Sequence, residues 1–222
     1  MRAAALDTSA NPFPGPCLGL EEAAADEGRD WPQTAAFALL RAAGGAGETR
    51  PLAVVATAVW RRERGGLSAR GLAGLGVALD RLLLIRVGRE GEALWALEEA
   101  LKSGAVCGGV ATVEAASLTA TRRLDFAARE GRAAAVLLRA GASGDLSAAR
   151  LRWRVAAVVS APHPFDSRAP GTLRLRAGLT RRRNGPLGVW DLEQDHGTGR
   201  LRLAAGLADH GLVQGGRTSA AA

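Results

Sequence analysis

Residues 75–119, LGVALDRLLLIRVGREGEALWALEEALKSGAVCGGVATVEAASLT, decide the fold class. Leu82–Val87 (LLLIRV) is a short, almost wholly apolar run, the pattern of a strand buried on both faces. The glycines of 88–91 make the turn. Glu90–Lys102 then carries Leu94, Leu97 and Leu101 at helical spacing, and Glu98 precedes Lys102 by four residues, the favourable order on an exposed helix face. Gly104 is a C-cap candidate. Residues 105–113 form a second apolar segment, weakened as a strand by Gly108 and Gly109. Two buried strands joined by one helix make a βαβ unit, which implies a parallel sheet with the two strands as neighbours. Leu94, Leu97 and Leu101 are expected in the core.

Outward from this unit, 18–30 is acidic and Ala-rich without strong periodicity. Asp30 and Gln33 have capping-box spacing, and Pro32 suits a first helical turn. Phe37 and Leu40 give that helix an inward face, and Gly44 and Gly45 end it. Residues 52–59 (LAVVATAV) read as a central strand, 60–66 (WRRERGG) as a charged loop, and Ser68 as the cap of a short helix ending near Gly76. A helix is expected over 119–130 and a buried strand over 133–138. The remainder changes character. Residues 150–155 (RLRWRV), 172–177 (TLRLRA) and 200–203 (RLRL) alternate strictly, so they read as half-buried strands. Residues 195–199 (DHGTG) suit a hairpin turn between 190–193 and 200–203. The chain divides into an arm at 1–16, one domain at 17–210 and a tail at 211–222.

The 222 residues carry a net charge of +7 and are 47% hydrophobic, which excludes a disordered chain. A basic balance favours an anionic partner, nucleic acid above all. Lys102 is the only lysine, however, and an arginine-, alanine- and glycine-rich chain is also what a GC-rich genome writes, so charge alone decides nothing. Cys17 and Cys107 do not form a disulfide framework or a zinc site, which points to a reducing compartment. No signal peptide is legible, and the longest apolar run, 52–60, is far short of a membrane span. His163, His196 and His210 lack metal-ligand spacing. Of the five tryptophans, Trp95 and Trp153 sit in regular elements and read as core. Trp60, beside Arg61, Arg62 and Arg64, is the best candidate for a base-stacking platform.

The central stretch resembles the RecA recombinase core, in LGVALDRLLL (75–84), GEALWALEEALKSGAV (91–106) and VATVEAASLT (110–119). It is more similar still to the ImuA family, RecA-like partners of bacterial mutagenic repair. That likeness lies in GLAGLGVALDRLLLIRV (71–87), ALWALEEALKSGAV (93–106), the arginine-rich 148–183 and GPLGVWDLE (185–193). The resemblance implies an α/β fold, a RecA-like three-layer core with a mostly parallel twisted sheet and antiparallel strands at the C-terminal edge. It implies a cytoplasmic, nucleoid-associated accessory protein of SOS-induced translesion synthesis. Its partners would be ImuB, an error-prone C-family DNA polymerase and RecA, with no membrane and no cofactor. Alternatives are a SulA-like inhibitor of a tubulin-like division protein, and a surviving nucleotide-binding enzyme.

A RecA-type ATPase wraps phosphates in a Gly-rich loop whose lysine reaches the outer phosphates and whose hydroxyl binds magnesium. Here the matching stretch is 27–34, EGRDWPQT. Gly28 and Thr34 remain, Gln33 stands at the lysine, Pro32 removes an N–H donor, and Glu27 and Asp30 add negative charge. Val59 stands where a catalytic glutamate belongs, and Thr112 at the magnesium-binding aspartate, with Glu114 two residues on. The expectation is a non-enzyme. The remaining candidate contacts are arginines. Arg150, Arg152 and Arg154, Arg174 and Arg176, and Arg200 and Arg202 alternate along strands, and Arg181, Arg182 and Arg183 form a run. On one sheet face they would repel each other without single-stranded DNA, an acidic partner surface or neighbouring acids such as Asp191, Glu193 and Asp195.

Overall fold

The computed structural model describes residues 12–43, 48–141, 144–160, 162–163, 165–166, 168–169, 171–195 and 200–204. Nine strands form one sheet: β1 (Gly19–Ala25), β2 (Leu52–Thr57), β3 (Leu82–Val87), β4 (Gly108–Val113), β5 (Ala134–Arg139), β6 (Leu151–Ala157), β7 (Arg174–Arg182), β8 (Gly188–Gln194) and β9 (Leu201–Leu203). Their order is β3-β2-β4-β5-β1-β6-β7-β8-β9. The pairings from β3 through β6 are parallel, and β7, β8 and β9 add an antiparallel meander at the far edge. Among the described residues five α-helices complete the fold: α1 (Trp31–Ala42), α2 (Ala58–Arg64), α3 (Ala69–Gly74), α4 (Glu90–Lys102) and α5 (Leu118–Glu130). α1 and α3 share one apolar cluster with one face of the sheet, while α4 and α5 share a second with the other face. This is the expected three-layer α/β core, a mostly parallel sheet with antiparallel strands at its C-terminal edge.

Several local readings give way. β3 and β4 are not neighbours, because β2 pairs with both. β3 is therefore an edge strand and not a strand buried on both faces; Leu83 and Leu84 are 44% and 40% exposed. A continuous apolar run fixes neither the strand's place in the sheet nor how its faces are covered. The acidic stretch 18–30 contains β1, flanked by β5 and β6 and buried at every position. The strand over 52–59 stops at Thr57, whose hydroxyl accepts the Trp60 N–H and caps α2, so 60–64 is helix and not loop. Leu97 and Leu101 are fully buried and Leu94 partly so, but Trp95, one position off that face, is 60% exposed and not in the core. Trp153 is in the core as expected. The expected helix stop at Gly44 and Gly45, the hairpin turn at 196–199, and His196 and His210 lie outside the described residues. Of the N-terminal arm only 12–16 are described, and there Phe13 packs 5.7 Å from the rings of both Trp153 and Trp190.

Gly108 and Gly109 do more than weaken β4. A Cβ at Gly108 would sit 2.1 Å from the Ala42 carbonyl oxygen, and one at Gly109 would sit 2.3 Å from Leu97 Cδ1. The missing side chains let α1 and α4 press on opposite faces of the same strand.

The most enclosed ion pair among the described residues joins β1 to α1. Glu21 is fully buried and Arg41, on α1, is 2% exposed. Arg41 Nη2 donates to Glu21 Oε1 at 2.6 Å and Nε to Oε2 at 3.0 Å. Trp153 Nε1 donates to Oε2 at 2.8 Å, and Arg41 also donates to the carbonyls of Pro14 and Gly15.

Leu97→Ala empties a fully buried site and is expected to cost about 2–5 kcal/mol in urea unfolding, whereas Leu84→Ala on the exposed edge strand should cost about 1 kcal/mol or less. Equal losses would mean that β3 is as enclosed as the centre of the sheet. Glu21→Gln strands a buried guanidinium and is expected to cost about 3–5 kcal/mol, while Glu21→Leu combined with Arg41→Met should lose less than the two single changes summed. Additive losses in that cycle would show that the pair does not act as a unit.

Candidate functional site

The carboxyl ends of the parallel strands frame a cavity of about 330 Å³. This is where open α/β sheets bind ligands. Thr57 of β2 and Thr112 of β4 reach it, as do Val59, Glu114 and the indoles of Trp31 and Trp60. The residues predicted for a phosphate site are only partly assembled there. Thr112, Val59 and Glu114 share the cavity wall; Gln33 and Thr34 do not line it.

The loop after β1 is a single 3-10 turn, Gly28–Asp30, that runs into α1. The Asp30 carboxylate is buried and accepts the N–H groups of Glu27 at 2.9 Å and Ala157 at 3.0 Å. It does not cap α1 as its spacing with Gln33 predicts. The Thr34 hydroxyl is fully buried and donates to the Asp30 carbonyl at 2.8 Å, closing on its own helix. Gln33 faces a different groove, between α1 and α3, where its Oε1 is buried without a partner. Trp31 fills the loop side of the cavity. It is 7% exposed, 6.3 Å from the Trp60 ring and 4.9 Å beneath the Arg64 guanidinium. Thr112 Oγ1 is likewise buried without a partner. The Glu114 N–H donates to Glu90 Oε1 at 2.6 Å, and residue 114 lies past the end of β4. Trp60 is half-buried against Trp31 and is not an open platform; Arg61 and Arg62 are exposed on the same short helix.

The strand arginines do fall largely on one sheet face, as their alternation predicts, because Leu151, Trp153, Val155, Leu175, Ala177 and Leu179 take the other. Acids pair with six of them. Arg154 pairs with Asp26 at 3.2 Å, Arg174 with Glu193 at 3.0 Å, and Arg176 with Asp191 at 2.7 Å. Arg202 reaches Glu193 at 2.8 Å and Asp195 at 3.9 Å. Arg152 Nε lies 2.9 Å from Glu22 Oε2, an ion pair whose N–H is poorly aimed. Arg150 pairs with Asp125 at 2.9 Å. The ladder is therefore not bare: neutralising acids are the arrangement found, although Arg152 still lies opposite Arg181 in the β6–β7 register. Arg200 is also engaged within the structure. Within the 181–183 run, Arg181 donates to the Ser147 carbonyl at 3.1 Å, and among the described residues no ion pair holds the three arginines.

Residues absent from the sequence reading lie nearby. Arg122, Phe126 and Arg129 project from α5 beside Arg181 and Arg183. The available signal was Phe126, which falls off the inward face set by Leu124, Ala127 and Ala128. Both cysteines are thiols away from the cavity. Burial, then the neighbouring Glu21 carboxylate, pushes Cys17 up to about 12, and burial raises Cys107 as well, so neither is a ready nucleophile. Among the described residues no cluster of three or more His, Cys, Asp or Glu suits a metal ion, and no helix is long and apolar enough to cross a membrane.

No protein-family model matches the chain. It is 41% identical over 168 residues to the protein named ImuA in two strains of Caulobacter vibrioides, a match covering 70% of this chain and 68% of each relative. Among solved structures, SulA from Pseudomonas aeruginosa aligns with a TM-score of 0.43 at 23% identity, over 55% of this chain and 98% of that one.

Proposed function

The chain belongs to the ImuA family, and from that we propose that it is a non-catalytic, RecA-like accessory protein of damage-induced, error-prone translesion synthesis. The carrying observation is the 41% identity to ImuA over 168 residues. In this reading residues 17–210 form one domain. It works in the cytoplasm beside an ImuB-type polymerase homologue and an error-prone C-family polymerase, with RecA as a further partner.

The loop geometry supports the absence of ATP turnover. A phosphate entering the turn at Gly28–Asp30 would meet the Asp30 carboxylate already holding two N–H groups. It would find Thr34 committed to a backbone carbonyl and no lysine at Gln33. Trp31 occupies the space on the loop side of the cavity. A site that must gather several negative charges is here supplied with one of its own.

Titration of the purified chain with magnesium and ATP in a calorimeter is expected to give only the heat of dilution. Binding in the micromolar range, or hydrolysis abolished by Thr34→Ala, would overturn the non-catalytic reading. Co-expression with the two polymerase partners should retain them in an affinity pull-down, and a tubulin-like division protein offered in parallel should pass through. Retention of the division protein alone would replace mutagenesis with division control.

A further inference from the structure

The neutralised ladder leaves the unpaired positive charge elsewhere. A groove of about 410 Å³ runs between α5 and the end of β7. Along α5, Arg122, Phe126 and Arg129 follow at intervals of four and three, one stripe of the helix. Arg122 and Arg129 are exposed and stand about 10 Å apart along the axis at the helical rise. Arg181 and Arg183 face them across the groove, both exposed. Among the described residues Asp125 is the one carboxylate lining it, and it is occupied: it accepts the Leu20 N–H at 3.1 Å and Arg150 Nε at 2.9 Å. At the centre are large apolar side chains turned to solvent, Phe126 at 63% and Leu146 at 74% exposure.

An apolar centre ringed by arginines that hold no carboxylate among the described residues is the complement of an acidic segment with an apolar anchor. Guanidinium groups hold carboxylates through paired hydrogen bonds, and an exposed aromatic flanked by arginine is the composition of an interface core. The geometry points to this groove as a docking site for a short acidic peptide segment of a partner protein, its apolar side chain against Phe126 and Leu146 and its carboxylates on Arg122, Arg129, Arg181 and Arg183. A polyanion fits less well. A nucleic-acid strand needs a positive track that continues, and the next groove, which shares Arg181, carries Glu22 paired with Arg152, followed by Asp26 paired with Arg154. The basic surface is compact, with ion pairs beyond it that offer phosphates nothing.

The probe is a fluorescent octapeptide of Asp and Glu carrying one Leu and one Phe, titrated against the full chain by anisotropy, with oligothymidylate as competitor. The parent should bind the peptide. Arg122→Glu with Arg129→Glu should weaken it about tenfold or more, and Phe126→Ala should weaken it without changing charge. A charge-matched control at exposed positions elsewhere, Arg70→Glu with Arg86→Glu, should leave it unchanged, and oligothymidylate should not displace it. Photocrosslinking from Phe126→p-benzoylphenylalanine gives a second readout that leaves every arginine in place, and should label the peptide. Three results overturn the site: no peptide binding or crosslink to the parent at about millimolar concentration, a range that would exclude even weak docking; equal weakening by the control pair; or displacement by an oligothymidylate whose own binding is lost in Phe126→Ala, which would make the groove a nucleic-acid track.

Discussion

The Glu21–Arg41 pair is the interaction on which the rest of the sheet depends. Two charges withdrawn from water are unfavourable unless each lone pair and proton is met. Here they are met from four parts of the chain. Glu21 on β1 accepts from Arg41 on α1, from Trp153 on β6 and from the Cys17 N–H. Arg41 gives its remaining donations to Pro14 and Gly15, and its guanidinium lies within 5.0–5.8 Å of the rings of Phe13, Phe37 and Trp153. The central strand, the first helix, the junction to the antiparallel meander and residues 13–17 are thus fixed to one another by a single buried polar cluster. An apolar substitute of equal volume would pack, but it would not specify which strand lies beside which.

The same logic of answered charge organises the open face of the C-terminal strands. Like charges opposite one another weaken a sheet, so arginines on neighbouring strands need counter-charges at matching register. Arg174 lies directly opposite Glu193 and Arg176 opposite Asp191 in the β7–β8 pairing, and Arg202 lies opposite Glu193 in β8–β9. Glu193 serves arginines on both its neighbours. Exposed pairs of this kind contribute little stability individually. What they set is pattern: among the described residues the paired arginines make the meander's open face nearly neutral, and of the arginines at this sheet end that hold no acid, Arg181 and Arg183 stand at the rim beside α5.

This division marks what was readable from the sequence. The alternation in 150–155 and 172–177 names both faces of β6 and β7, because one face is apolar and the other is not. It also places the arginines together and names Asp191, Glu193 and Asp195 among their partners, but not Glu22 and Asp26, which lie over a hundred residues away in the chain. β1 was illegible for a related reason. GLEEAAA has no β-branched or aromatic residue, so local propensity argues against a strand. Its burial is made possible by Arg41 and Arg152, and neither pairing leaves a local trace. β3 fails in the opposite sense: LLLIRV announces a strand but not its position, and the edge strand is as apolar as a central one. In α4 the spacing of Leu97 and Leu101 fixed the inward face, and the rotation of Trp95 away from it followed from the same 3.6-residue period once that period outweighed the size of the side chain.

The unmet polar atoms around the strand ends carry the last step. Thr112 Oγ1 in the cavity and Gln33 Oε1 beyond it are both buried without partners, and Trp60 Nε1 joins them. Buried polar groups are seldom left unpaired in a region shaped only for packing. Here they surround Trp31, the residue standing where a phosphate loop would expose its main chain. The proposed reading accounts for the combination. In that reading the topology does not need an anion to gather the strand ends and the α1 N-terminus, because the β1–α1–β6 cluster holds it. The Glu27 N–H goes to Asp30, the Trp31 indole fills the loop side of the cavity, and the Thr112 hydroxyl and Gln33 amide keep polar atoms that no protein group meets.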